Sequence, residues 1–359
     1  MLAPAMRERV AVWLHRTGAL GAVMRLRRYA PAPVISIVTY HHVAEHDPSY
    51  PYDPDVADAT PVQFRRQLET LARHANPIGI DELIGAIKGA PLPKNPVMVT
   101  FDDGYRSCHE VALPILREVG VRATFFIATS FVSERRLYWW ERITLLLGQA
   151  RQKARPKTVV ITYPQPMTID PGDPATGKKL TGVVKDTEDL DVDRFLDELG
   201  VALGVDWSRP IEAGYADQLI MTWDHVRALA RAGMDIESHG RRHRVLQTLD
   251  DGALDDELAG SRRDLEGQLG RPVRAIAYPV GRRIRGEPRI RHALASAGYQ
   301  LGLSNHSGVN RWWPMPLRGL APVDPFDVRR LALDRTMSDA MFFTQVAVPR
   351  LAYMSPHNR

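Results

Sequence analysis

Short β-rich runs recur along the chain, and stretches of helical periodicity separate them. The runs are Val34–Tyr40, Pro96–Phe101, Arg122–Thr129, Met234–His239, Arg274–Pro279 and Tyr299–Ser304, with Leu317–Leu320 as a candidate last member. Thr60 with Pro61 opens one helix, in which Phe64, Leu68 and Leu71 repeat at helical spacing. Asp81 caps another through Leu83, Ile84 and Ile87, and a third spans Ser107 to Glu118 and stops at Gly120. Later helices are predicted over Trp223–Ala232, Asp250–Leu269 and Ile290–Ala297. Strands alternating with helices of this length indicate parallel β-α units. Roughly seven or eight such units fill one barrel-type domain, whose chemistry sits at the carboxyl ends of its strands.

The rhythm breaks over residues 150–215, where a Lys/Arg/Pro-rich segment and a Pro/Gly/Asp loop flank a strand at Val159–Tyr163 and a helix at Phe195–Leu203. This reads as an insertion and not as a second core. The expected organisation is therefore a segment at 1–30, a barrel over 31–345 carrying the insertion, and a tail at 346–359. The chain of 359 residues is 44% apolar and 25% charged, enough to bury a large core.

Net charge is +5, and residues 1–30 account for all of it: Arg7, Arg9, Arg16, Arg25, Arg27 and Arg28 stand against Glu8 alone. The body is balanced, so no nucleic-acid partner is expected. Over residues 6–28 the arginines border an apolar set of Met6, Val10, Trp13, Leu14, Leu20 and Met24. Such a segment suits either docking on the body or peripheral contact with an anionic membrane. The single cysteine, Cys108, excludes an internal disulfide and reads as a core residue. No run approaches the roughly 20 apolar residues of a membrane span, and no signal peptide is evident. The expected location is cytoplasmic, with the inner membrane face as the site of any peripheral contact.

Three chemically distinctive segments end strands: Asp102-Asp103, His239 with His243, and Tyr278-Pro279-Val280-Gly281. Adjacent carboxylates at the end of a buried strand are costly unless a cation or proton shares their charge. In a barrel, strand ends far apart in sequence converge on one rim. Two imidazoles and one carboxylate there leave an open coordination position, as in a catalytic zinc site. A bound zinc lowers the pKa of its water to about 7, and the second carboxylate is then free to act as general base.

These motifs, Thr100-Phe101-Asp102-Asp103-Gly104-Tyr105, Ser238-His239-Gly240-Arg241-Arg242-His243 and Ala277-Tyr278-Pro279-Val280-Gly281, resemble those of the polysaccharide deacetylase (NodB-homology) family in order and approximate spacing. Tyr40-His41-His42-Val43, Ala123-Thr124-Phe125-Phe126 and Gly298-Tyr299 extend the resemblance over about residues 34–320. It implies an α/β fold, a distorted (β/α)7 TIM-like barrel, and metal-dependent removal of acetyl groups from N-acetylated sugars. The implied metal is zinc, with cobalt, nickel or manganese as alternatives. Carried over, Asp102 is the general base, Asp103, His239 and His243 are metal ligands, and the backbone N–H at Val280 helps hold the oxyanion. His41 is expected near the substrate, and Tyr105, Tyr278 and Trp140 are further candidates for its binding.

Two departures stand out. The family's third motif commonly carries an arginine that braces the base, where this chain has Ala277; Arg318 is the candidate substitute. The late Leu-x-His that supplies a general acid is missing, leaving His306 as the nearest late histidine. The substrate reading therefore spans polysaccharide and lipid- or nucleotide-linked sugars. Alternatives are a deformylase or other amide hydrolase on the same site, a non-catalytic glycan-binding protein, and a 2-His-1-carboxylate iron oxygenase. The oxygenase would need an all-β body, which the β-α alternation disfavours.

Overall fold

In the computed structural model, residues 4–29, 34–45, 50–153, 157–308, 310–311 and 323–349 are described. The β-rich runs become parallel strands: β1 Val34–Tyr40, β2 Pro96–Phe101, β3 Thr124–Ile127, β4 Asp235–Ser238, β5 Ala275–Ala277 and β6 Leu301–Ser307. A seventh, β7 Val328–Ala332, follows. Residues 317–320 lie outside the described residues, and β7 takes the closing place expected of them. Each strand pairs with the next in order, and β7 pairs with β1 through Val38 opposite Leu331, which closes the barrel.

Alternation sets which side chains fill the lumen. Ile35, Ile37, Met98, Phe126, Ala275, Ala277, Leu301, Leu303 and Val328 form one buried cluster drawn from most of the strands. The same alternation continues upward to Thr39, Thr100 and Arg330, and Thr39 and Thr100 share a hydrogen bond of 3.1 Å. A polar layer therefore caps an apolar floor at the carboxyl ends of the strands.

Helix α1 (Pro4–Arg16) and helix α2 (Ala19–Tyr29) are separated by Gly18, which takes φ +72° and breaks the segment in two. Helix α3 (Pro61–His74) starts with the expected box, Thr60 accepting from Gln63 N and Gln63 Oε1 accepting from Thr60 N. Helix α4 (Trp139–Arg151) leads into the insertion, which holds an antiparallel pair (Val159–Ile161 with Met167–Ile169) and helices α5 (Thr176–Asp186), α6 (Val192–Leu203) and α7 (Arg209–Leu219). Leu180, Phe195, Leu196 and Leu199 are buried in the same cluster as Leu146 and the outer faces of the barrel strands. At about 1.5–3 kcal/mol for each fully buried apolar side chain, this fixes the insertion to the body. The chain's last described helix, α8 (Asp339–Ala347), buries Val346 and Ala347, so it runs past the 345/346 boundary expected from sequence.

Candidate metal centre

β2 ends at Phe101, and the acid pair forms the turn above it. Asp102 N donates to Tyr40 O (2.9 Å), and Asp103 O accepts from Ala128 N (3.1 Å), so the neighbouring strands hold both residues. Asp103 at φ +72° and Gly104 at φ +107° are consecutive left-handed residues. That turn breaks strand alternation and lets adjacent carboxylates stay on one rim, where Asp102 and Asp103 are 1% and 2% exposed. The strain is local. Left-handed backbone also occurs at His243 (φ +53°) and at Val280 (φ +61°), so three of the rim turns contain a non-glycine residue in a sparsely populated conformation.

His239 follows β4 and His243 closes the next turn. His239 Nε2 lies 3.2 Å and His243 Nε2 lies 3.4 Å from the same atom, Asp103 Oδ1. One ligand atom from each of the three residues lies within 4.8 Å of the others, a group able to hold a metal ion. The tautomer supports that use. His239 Nδ1 is 2.8 Å from Ala277 O, an atom that can only accept, so a neutral ring carries its proton on Nδ1 and aims the Nε2 lone pair at Asp103. Burial pushes His243 down to about 3, outweighing the charge of Asp103, and keeps that ring neutral. Asp103 Oδ1 and His243 Nδ1 are both buried without a hydrogen bond, so the fold itself leaves atoms of this cluster unsatisfied. A divalent cation fits that donor set.

The histidine turn is held from below. Glu257, 2% exposed, accepts from the backbone N–H of Arg241 (3.0 Å), Arg242 (2.9 Å) and Arg244 (3.2 Å). A π-helical turn at Asp256–Gly260 carries it, and Gly240 gives it room, since a Cβ there would lie 2.5 Å from Glu257 Oε1.

Asp102 has a different partner. Arg330 Nη1 and Nη2 each donate to one of its oxygens at 2.7 Å, and both side chains are fully buried. Burial would raise the Asp102 pKa, but Arg330, His239 and His41 together hold it well below the usual carboxylate range. Across the rim His41 Nε2 is 4.0 Å from Asp102 Oδ2, and His41 Nδ1 is 3.0 Å from Asp58 Oδ2. Burial disfavours the imidazolium, yet Asp58 and then Asp103 and Asp102 raise His41 to about 10.

Several sequence expectations need correction. The brace on Asp102 is Arg330 of β7, while Arg318 lies outside the described residues. His306 is exposed on β6, and its charged neighbours are Arg283, Arg329 and Asp327, so it is not beside the acid pair. Tyr278 is 1% exposed and donates to Phe326 O (2.9 Å), on the outer side of β5, which commits its hydroxyl to the fold. Tyr105 is fully buried between Glu141 Oε1 (2.8 Å) and Trp140 Nε1 (2.9 Å). Trp140 itself is 7% exposed and lies 4.6 Å from the His243 ring, which it backs. Cys108 is buried as expected.

Sequence reasoning passed over Arg330, Asp58 and Glu257. A signal existed for the first: an arginine inside the run Val328-Arg329-Arg330-Leu331-Ala332, where alternation turns one of two adjacent arginines inward. Asp58 lies on a short strand, Ala57–Ala59, within a run that reads as a polar loop, and Glu257 lies on a charged helix, and nothing local distinguishes them.

A family model described as polysaccharide deacetylase matches residues 89–164 and 202–302. The chain belongs to the polysaccharide deacetylase family. The matched blocks leave out most of the insertion and include the acid pair, both histidines and the Val280 turn. No curated protein matches the chain in sequence. Among solved structures it is similar to the Streptococcus pyogenes deacetylase PplD in complex with acetate, at 18% identity and TM-score 0.56, over 89% of this chain and 100% of that one. It is also similar to IcaB from Ammonifex degensii (18% identity, TM-score 0.53, 89% of this chain and 97% of that one). A polysaccharide deacetylase from Bacillus cereus matches at 14% identity and TM-score 0.54, over 88% of this chain and 69% of that one. At these identities the likeness shows the shared barrel fold.

Proposed function

We propose that the chain is a metal-dependent carbohydrate N-deacetylase, a hydrolase of the acetamide C–N bond in N-acetylated sugars. One observation carries this reading: ligand atoms of Asp103, His239 and His243 lie within 4.8 Å of one another, while Asp102, beside them, is held by Arg330. Asp103, His239 and His243 would hold the ion, and zinc suits two imidazoles and a carboxylate. When bound, such an ion supplies a Lewis acid and a more acidic water.

The chain's own residues divide the remaining work. Asp102 accepts the proton of the attacking water, since Arg330 keeps it ionised and fixed in orientation. The backbone N–H at Val280 is our assignment for the donor to the developing oxyanion; the left-handed Val280-Gly281 turn just beyond β5 supports this, since it takes the backbone out of strand geometry at the rim. We assign the acid to His41. Its pairing with Asp58 keeps the ring protonated, and its Nε2 stands across the rim, able to give a proton to the leaving amine. Trp140 serves as a wall behind His243. Residues from 31 through the end of α8 act as the catalytic barrel, with 150–215 as its insertion.

The substrate class extends to polymeric and lipid- or nucleotide-linked amino sugars, and we place the chain in the cytoplasm with peripheral contact at the inner membrane face. Purified protein with zinc should release acetate from an N-acetylated amino sugar. Asp102→Asn should abolish release while metal content stays unchanged, and full activity in that variant would remove the base assignment. His41→Ala should lower kcat by about 10²–10⁴-fold, the ordinary value of a positioned proton donor.

A further inference from the structure

α1 and α2 each have two faces with different fates. Ala11, Leu20 and Met24 are buried against the body, so the side chains expected to enter a membrane are partly spent on docking. Arg27 Nη1 donates to Val346 O (3.3 Å) and Ala347 O (3.4 Å) in α8, and Asn95 Nδ2 donates to Met24 O (2.7 Å). The helix pair is thus fastened along the barrel flank.

What remains outside has its own pattern. Met6 (50% exposed), Trp13 (62%), Leu26 (66%) and Tyr29 (85%) are four of the eight large exposed hydrophobic side chains among the described residues. On α1, exposed Met6, Arg9, Trp13 and Arg16 follow one another at helical spacing, and on α2 exposed Ala22, Arg25, Leu26 and Tyr29 do the same. Arg9, Arg16 and Arg25 form no ion pair with a described residue. The only acid of the segment, Glu8, is turned inward, where its Oε1 accepts from Ser338 Oγ at 2.6 Å. The outer face therefore carries cations and apolar tips without a carboxylate.

We propose that this face docks on an anionic phospholipid bilayer, with Met6, Trp13, Leu26 and Tyr29 entering the headgroup boundary and Arg9, Arg16 and Arg25 meeting lipid phosphates. Charge complementarity selects this occupant. A second copy would bring like charges together, and a nucleic acid would give nothing to Met6 and Leu26. Tryptophan and tyrosine favour the wet, half-apolar layer at a bilayer surface, and each arginine near an anionic surface adds attraction. The face lies outside the metal centre, so this inference stands apart from the catalytic reading.

The test is sedimentation of the full chain with vesicles of phosphatidylcholine alone or mixed with phosphatidylglycerol, at low and high salt. Binding is expected to the anionic vesicles, weakened by salt, with each of Arg9→Gln, Arg16→Gln and Arg25→Gln costing roughly fivefold in affinity. Trp13→Ser should weaken binding as well, with the far-ultraviolet spectrum unchanged because the side chain is exposed. Equal binding to both vesicle types, no binding to either, or wild-type affinity in the triple glutamine variant would overturn the proposal. So would a vesicle-free dimer that Trp13→Ser dissociates, since the face would then belong to a second copy.

Discussion

At the scale of single residues, the two neighbouring aspartates differ through their partners. Asp103 faces two imidazoles and Asp102 faces a guanidinium, although both are buried to the same degree. A buried bidentate pair binds strongly and fixes direction, whereas removing one partner leaves an uncompensated charge. Arg330→Met should therefore destabilise the protein by about 3–5 kcal/mol in denaturant unfolding. Arg330→Lys keeps the charge but loses the fork. Its kcat should fall on the order of 10²-fold with metal content unchanged, measured by acetate release and metal analysis. Loss of metal together with activity would mean that Arg330 supports the whole rim and not Asp102 alone.

At the scale of elements, three rim turns carry the site, and each stores a left-handed residue. The histidine turn depends on Glu257, which gathers three backbone N–H groups of the turn itself, those of Arg241, Arg242 and Arg244. Glu257→Gln replaces an acceptor with a donor at one of those contacts. Metal affinity should then drop by about 10–100-fold, the usual effect of a partner just behind the ligands, as followed by competition with a chelator. Val280→Gly should leave kcat within a few-fold, because the proposed donor belongs to the backbone. A collapse of kcat in that variant would assign the work to the side chain.

At the scale of the whole molecule, buried acids set the response to pH. Glu141 is fully buried, and burial raises it to about 8 against backbone and tyrosine donors that favour the charged form. The folded state then holds a proton that the unfolded chain releases near its ordinary value of about 4.5. This contribution is present below that value and is lost as pH rises toward 8, by at most about 1.4 kcal/mol per pH unit. Glu141→Gln stays uncharged throughout. Relative to wild type, it should gain stability steadily from pH 5 to pH 8 in paired denaturant titrations, and a flat difference would show that Glu141 ionises without cost. The barrel itself was legible in the chain because each buried strand announces its own run, and the capped helices between them set parallel order. Six of the seven strands lie where those runs predict.

The local chemistry of the site was legible for the same reason. An acid pair, a spaced histidine pair and a Pro-Val-Gly turn are short signals, and each is complete within a few residues of a strand end. What sequence alone determined is therefore the set of groups that meet, Asp102, Asp103, His239 and His243. The partners of those groups were decided by closure of the barrel, which brings β7 beside β1 and lays Arg330 against an aspartate 228 residues away. Asp58 reaches His41 through the short pairing of His42–Val43 with Ala57–Ala59, Glu257 reaches the histidine turn from the π-helical turn packed beside it, and docking sets the outward face of α1 and α2. A side chain's partner across a closed sheet depends on register and docking, and neither is written in the neighbouring residues.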